Sequence, residues 1–148
     1  MKTTSINDYQ EAIQFAIERE VDAERFYEAI AEKVHEPEAK SLLKRLAIEE
    51  KKHQKLLHAF SSEVTAGPGG AFIPPAHYNS TIDVQRMKTV EDIFTVAIQK
   101  EEESLNFYSR FLVYFYGTGH EKLFKEIFAM ELNHKEQLER NMNNYLKH

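Results

Sequence analysis

An all-α domain of four long helices, arranged as two antiparallel pairs joined by a long crossover, is the fold that three features of the 148-residue sequence predict. Apolar residues recur at three- and four-residue spacing through two long segments, the signature of helices that bury one face. Only five Gly and four Pro occur, and most of them fall between residues 67 and 75, which leaves the flanking segments free of helix breakers. The second half also repeats the first at an offset of 81 residues: Glu20, Phe26 and Tyr27 return as Glu101, Phe107 and Tyr108, and Glu50 and His53 return as Glu131 and His134.

Composition sets the outer limits. A hydrophobic content of 42% with 11% aromatic residues suffices for one packed domain over residues 1–148. Cysteine is absent, which excludes disulfides, thiolate metal ligands and cysteine-held iron–sulfur centres within this chain. The start, Met1-Lys2-Thr3-Thr4-Ser5, lacks an apolar leader stretch, and no segment nears the ~20 apolar residues of a membrane span. A cytoplasmic protein with no membrane partner is therefore expected. The net charge of −5 is spread along the helices without a basic cluster, which argues against a nucleic-acid partner.

The first helix is expected over about 8–35, capped near Asn7-Asp8 and closed before Glu36-Pro37. Its apolar stripe of Ile13, Ala16, Ile17, Ala23, Tyr27, Ile30 and Val34 carries Glu20 in its middle, whereas Glu18, Arg19, Asp22 and Arg25 fall off the stripe and read as a solvated face. The second helix, about 38–61, follows Pro37 and buries Leu42, Leu43, Leu46, Ala47, Leu57 and Phe60, with Glu50 and His53 on the same face. Glu49, Lys51, Lys52, Lys55 and His58 read as surface.

Residues 62–88 contain Gly67-Pro68-Gly69-Gly70 and Pro74-Pro75 and form the crossover. A helix of about 25 residues is roughly 38 Å long, and a connection of this length can run the full height of such a bundle. Phe72, Ile73 and Tyr78 are expected to pin the crossover, and His77 to be structural or exposed. The third helix, about 89–116, opens with Thr89 and Asp92 as a capping box and turns Ile93, Phe94, Ala97, Ile98, Glu101, Ser104, Leu105 and Tyr108 inward. The fourth, about 119–146, follows Gly117-Thr118-Gly119, with Thr118 and Glu121 as a second box-like pair, and buries Leu123, Phe124, Ile127, Phe128, Glu131, His134 and Leu138. An up-down pair, a crossover and a second pair, with helices two and three parallel, is the ferritin-like arrangement.

Glu50 and His53, like Glu131 and His134, stand three residues apart on a helix and so lie one above the other on one face, able to grip a single ion. Four glutamates on apolar stripes repel one another, and each buried carboxylate costs several kcal/mol unless paired. No Arg or Lys shares those stripes, so two divalent cations, at +4 against −4, are the economical neutralisers, with the two histidines completing the shells. One Glu from each of two helices and Glu-x-x-His from each of the other two is the pattern by which carboxylate bundles hold two iron or manganese ions.

On these six residues and their spacing, the whole chain resembles the rubrerythrin-like branch of the ferritin-like di-iron carboxylate proteins. The resemblance implies two iron ions, with manganese as the substitute, one served by Glu20, Glu50 and His53 and the other by Glu101, Glu131 and His134, with Glu50 and Glu131 bridging. Tyr27 and Tyr108 look like hydroxyls that orient the carboxylates. Two departures stand out. The cysteine-rich rubredoxin domain of full-length rubrerythrins is absent here, so the electron donor is expected to be a separate protein. Ser104 occupies the position where rubrerythrins carry an additional glutamate, so the resemblance stops short of the redox-linked ligand switch and of full peroxidase activity.

The leading functional expectation is an oxidoreductase reacting with hydrogen peroxide or dioxygen in defence against oxidative damage, working as a homodimer or larger homo-oligomer. The alternative is ferroxidase-type iron handling. A third reading makes the metals structural pins of an adaptor bundle.

Overall fold

The computed structural model of the chain describes residues 9–62 and 84–147. Four helices account for nearly all of them: α1 (Tyr9–Lys33), α2 (Pro37–Ser61), α3 (Val90–Tyr114) and α4 (Glu121–Leu146). The expected cap at Asn7-Asp8 and the contacts expected of Phe72, Ile73, His77 and Tyr78 lie outside the described residues. Among the described residues no helix is long and apolar enough to cross a membrane.

Local chemistry sets each helix end. Pro37 opens α2, where its missing N–H costs nothing, and the Glu36 carboxylate accepts from the Glu38 N–H at 2.8 Å. Lys40 reaches back to α1 and donates to the Ala31 carbonyl at 2.7 Å, satisfying an orphan acceptor of the last turn. Before α3 the described residues form a 3-10 turn, Val84–Arg86, where Lys33 Nζ donates to the carbonyls of Val84 and Met87 at 2.5 and 2.7 Å. The capping box of α3 forms as expected: Thr89 Oγ1 accepts the Asp92 N–H at 2.9 Å, and the Asp92 carboxylate accepts the Thr89 N–H at 3.2 Å. Thr89→Ala is therefore expected to cost about 1 kcal/mol, a few degrees of thermal midpoint. An unchanged melt followed by circular dichroism would show that the helix does not depend on this cap.

The fourth helix starts at Glu121 and not at residue 119. Gly117 and Gly119 take φ of 81° and 85°, so the backbone on both sides of Thr118 is left-handed and no helix can begin there. Thr118 and Glu121 consequently make no capping box. Thr118 Oγ1 donates to the Phe115 carbonyl at 2.6 Å, and the Glu121 carboxylate accepts the Gly117 N–H at 2.7 Å, which ties the turn to the new helix.

The strand of contacts between helices fixes their directions. α1 packs on α2, α3 on α4, and α2 on α4. Along the last seam Arg45 meets Gln137, Glu49 meets His134 and His53 meets Met130, so α2 and α4 run antiparallel. On the opposite seam Tyr27 meets Glu101 and Tyr108 meets Glu20, so α1 and α3 are antiparallel too. Helices α2 and α3 are then parallel, and the order round the bundle is α1, α2, α4, α3.

Two apolar clusters form the core, one at each end of the bundle. One gathers Ile13, Ala16, Leu57, Phe107, Phe111, Phe115, Phe124 and Ile127; the other gathers Phe26, Ile30, Val34, Leu43, Leu46, Phe94, Ala97 and Leu138. The 81-residue repeat exchanges them: Ile30 corresponds to Phe111, Val34 to Phe115 and Leu43 to Phe124. Each cluster draws on all four helices, so neither hairpin buries its own apolar face alone. On every helix the site residues fall between the stretches that feed the two clusters.

Candidate metal centre

All six expected ligands converge at that middle level. Glu20 from α1, Glu50 and His53 from α2, Glu101 from α3, and Glu131 and His134 from α4 are each no more than 2% exposed. Donor atoms of Glu20, Glu50, His53 and Glu131 lie within 4.8 Å of one another, and so do those of Glu50, Glu101, Glu131 and His134. The two groups share Glu50 and Glu131. The imidazole rings of His53 and His134 lie nearly parallel, 10° apart in plane, with centroids separated by 5.9 Å.

Buried polar atoms ordinarily pair, yet here several do not. Glu50 Oε1, Glu101 Oε1, both carboxylate oxygens of Glu131 and Nδ1 of His134 make no hydrogen bond. His134 Nδ1 comes within 3.0 Å of Glu131 Oε1 and 3.5 Å of Glu101 Oε2 without bonding direction, as donors do when they face a common point. Oxygen and imidazole donors that converge in this way fit hard or borderline divalent cations.

Protonation records the same crowding. Burial, followed by the charges of Glu20 and Glu101, holds the Glu50 carboxyl well above its ordinary range. Burial, then Glu101 and Glu50, does the same to Glu131. For the histidines burial opposes the charge, but the surrounding carboxylates win: Glu20 leads in raising His53, and Glu101 and Glu131 push His134 up to about 12. Protons and cations thus compete for one negatively charged space.

Tyr27 and Tyr108 cross between the halves. Tyr27 donates its hydroxyl proton to Glu101 Oε2, and Tyr108 donates to Glu20 Oε2, each at 2.5 Å. Burial, then the partner carboxylate's charge, keeps both phenols protonated well above their ordinary range. Each outer glutamate is therefore anchored through one oxygen by the helix of the opposite half.

The model of the rubrerythrin family matches residues 11–142. The chain belongs to the rubrerythrin family. Three solved structures share the ferritin-like four-helix fold. A Thermotoga maritima protein, provisionally described as a ferritin-like diiron-carboxylate protein, aligns with TM-score 0.73 and 22% identity over 94% of this chain and 96% of that one. A hypothetical protein from Pyrococcus furiosus gives 0.71 and 24% over 93% and 90%. A Xanthomonas campestris protein gives 0.71 and 17% over 93% and 89%. No curated protein matches the sequence.

This rubrerythrin-family chain also carries functional neighbours that the helical stripe does not reveal. Glu49, expected to be surface charge, turns toward α4 and takes His134 Nε2 at 2.7 Å. Its helix position lies about 100° from Glu50, off the core stripe but on the α2/α4 seam. A second acid directly before the ligand glutamate is the signal that was available. Arg19 is likewise not solvated: it is 6% exposed and lies over the Phe107 ring at 4.4 Å. Its repeat counterpart Lys100, 8% exposed, lies over Phe26 at 5.0 Å. These cations stack on the aromatic residues that flank Tyr27 and Tyr108.

Proposed function

We propose that this chain is a di-iron oxidoreductase that reduces hydrogen peroxide, resupplied with electrons by a separate donor protein. The observation that carries the reading is the sharing of Glu50 and Glu131 by both donor groups, which suits two adjacent ions bridged by carboxylates. Glu20 with His53 would complete one ion, and Glu101 with His134 the other. A ferrous pair held there would supply two electrons which, with two protons, convert one hydrogen peroxide to two waters.

The protein's own contribution is position and environment. Tyr27 and Tyr108 hold one oxygen of Glu101 and Glu20, which restrains the carboxylates and leaves the second oxygen of each for an ion. The apolar clusters on both sides keep bulk water from the charged layer and strengthen every interaction inside it. Ser104, half-buried one turn beyond Glu101, offers no carboxylate at that position, and Glu101 is the member of α3 in the donor groups.

Mixing the anaerobic ferrous protein with hydrogen peroxide or with dioxygen in a stopped-flow spectrometer tests the proposal. Oxidation is expected to be at least about tenfold faster with peroxide, a barrier difference of ~1.4 kcal/mol. Faster reaction with dioxygen, followed by mineral formation under excess ferrous iron, would replace this reading with iron handling.

A further inference from the structure

The two halves agree in every ligand and in both tyrosines, but they differ in what each imidazole meets on its far side. His134 Nε2 lies 2.7 Å from the Glu49 carboxylate. His53 Nε2 lies 3.1 Å from the sulfur of Met130. Glu49 and Met130 are themselves counterparts, 81 residues apart and each directly before a ligand glutamate. The same position in the repeat therefore presents a charged oxygen to one histidine and a thioether to the other.

The consequence lies in the chemistry of the ring. An imidazole whose outer N–H donates to a carboxylate is fixed in the tautomer that turns the Nδ1 lone pair inward, and its electron density is raised toward that lone pair. A thioether is a weak acceptor and does neither well. Glu49 is in turn steadied, since its second oxygen lies 3.9 Å from Arg45 Nε and Arg45 donates to Gln137 at 2.5 Å. Nothing equivalent can stand behind Met130, because the counterpart of Arg45 is Glu126.

We infer that Glu49 is a positioning residue that makes the two metal positions unequal, so that the ion held by Glu101, Glu131 and His134 binds first and tightest, and the ion beside His53 and Met130 follows. The inference rests on the two-metal reading above. Loss of such an outer partner ordinarily lowers metal affinity by about 10–100-fold, and that is the expected separation between the two binding steps.

The test is titration of the metal-free protein with cobalt(II), read by calorimetry and by the visible bands of the bound ion. The native chain is expected to bind two cobalt ions in two resolved steps. Glu49→Met should weaken the tight step about 10–100-fold and bring the two together, Glu49→Gln should fall between, and Met130→Glu should strengthen the weak step until the two merge at high affinity. His134→Ala should abolish the tight step and leave the weak one, and His53→Ala the reverse. Two equal steps in the native chain, or a Glu49→Met titration that superimposes on it, would overturn the inference while leaving the two-metal centre intact. Failure of the native chain to bind cobalt would overturn the centre itself. If Glu49→Met does not fold by circular dichroism, the Met130→Glu arm decides alone.

Discussion

Stripped of metal, the protein is expected to lose stability steadily as pH rises from about 5 to 8, while the metal-loaded protein does not. Glu50 and Glu131 are raised above an ordinary value of 4.5, and His53 and His134 above 6.5, so in each case the folded chain keeps a proton that the unfolded chain has released. Stability contributed in this way is complete below the unfolded value and is lost as pH climbs toward the folded one, by up to about 1.4 kcal/mol per pH unit for each such group. The carboxyls act from about 4.5 upward, and the histidines join above about 6.5, with His134 continuing toward about 12. Asp92 and Glu121, held low by backbone N–H donors, act in the opposite sense, but only below the ordinary carboxylate range.

Cations reverse the slope because they take the place of those protons, and their affinity rises with pH. At a thousandfold excess over Kd each site adds about 4 kcal/mol, and at roughly 2–4 °C per kcal/mol two sites raise the midpoint by over ~15 °C at pH 8. The gap should narrow at pH 5.5. Thermal melts of both forms at the two pH values check this, and coincident midpoints would mean that the four glutamates are not what the metals neutralise.

Substitution of a shared carboxylate is expected to empty the whole centre. Glu50 and Glu131 each belong to both donor groups, so Glu50→Ala or Glu131→Ala should reduce saturating stoichiometry from two ions toward none. Glu20→Ala and Glu101→Ala should each leave about one ion, since each carboxylate serves a single group. Folding is checked separately by circular dichroism. If Glu50→Ala retained one tightly held ion, bridging would be wrong and the ions would sit in independent sites.

The stripe periodicity and the cluster of Gly and Pro were enough to read four helices and their pairing, because both follow from backbone chemistry along one segment. The six candidate donor residues stood out for a different reason. A duplicated Glu-x-x-His with a matching upstream Glu is improbable without a shared site, and the fold buries all six side chains at one level of the bundle. Glu49, Met130 and Arg19 were not legible, since each lies off its own helix's stripe and is claimed by a neighbouring helix. Which helix stands there depends on the order α1, α2, α4, α3, and a single helix's periodicity does not encode it. The late start of α4 escaped for a local reason: Thr118 and Glu121 have the residue types of a capping box, but left-handed Gly117 and Gly119 flank Thr118 and divert the backbone before the helix begins.

The exchange of the two apolar clusters by the repeat bears on how such a centre can change. Two identical hairpins assembled about a true twofold axis would carry every substitution in both places at once. Here both hairpins share one chain, so each position around the centre exists as two copies that vary separately. Phe124 against Leu43, Lys100 against Arg19 and Met130 against Glu49 are places where the copies have parted, whereas the six candidate donors and the tyrosines have not. One half of the centre can thus be retuned while the other stays as it was, a degree of freedom closed to any assembly of identical halves.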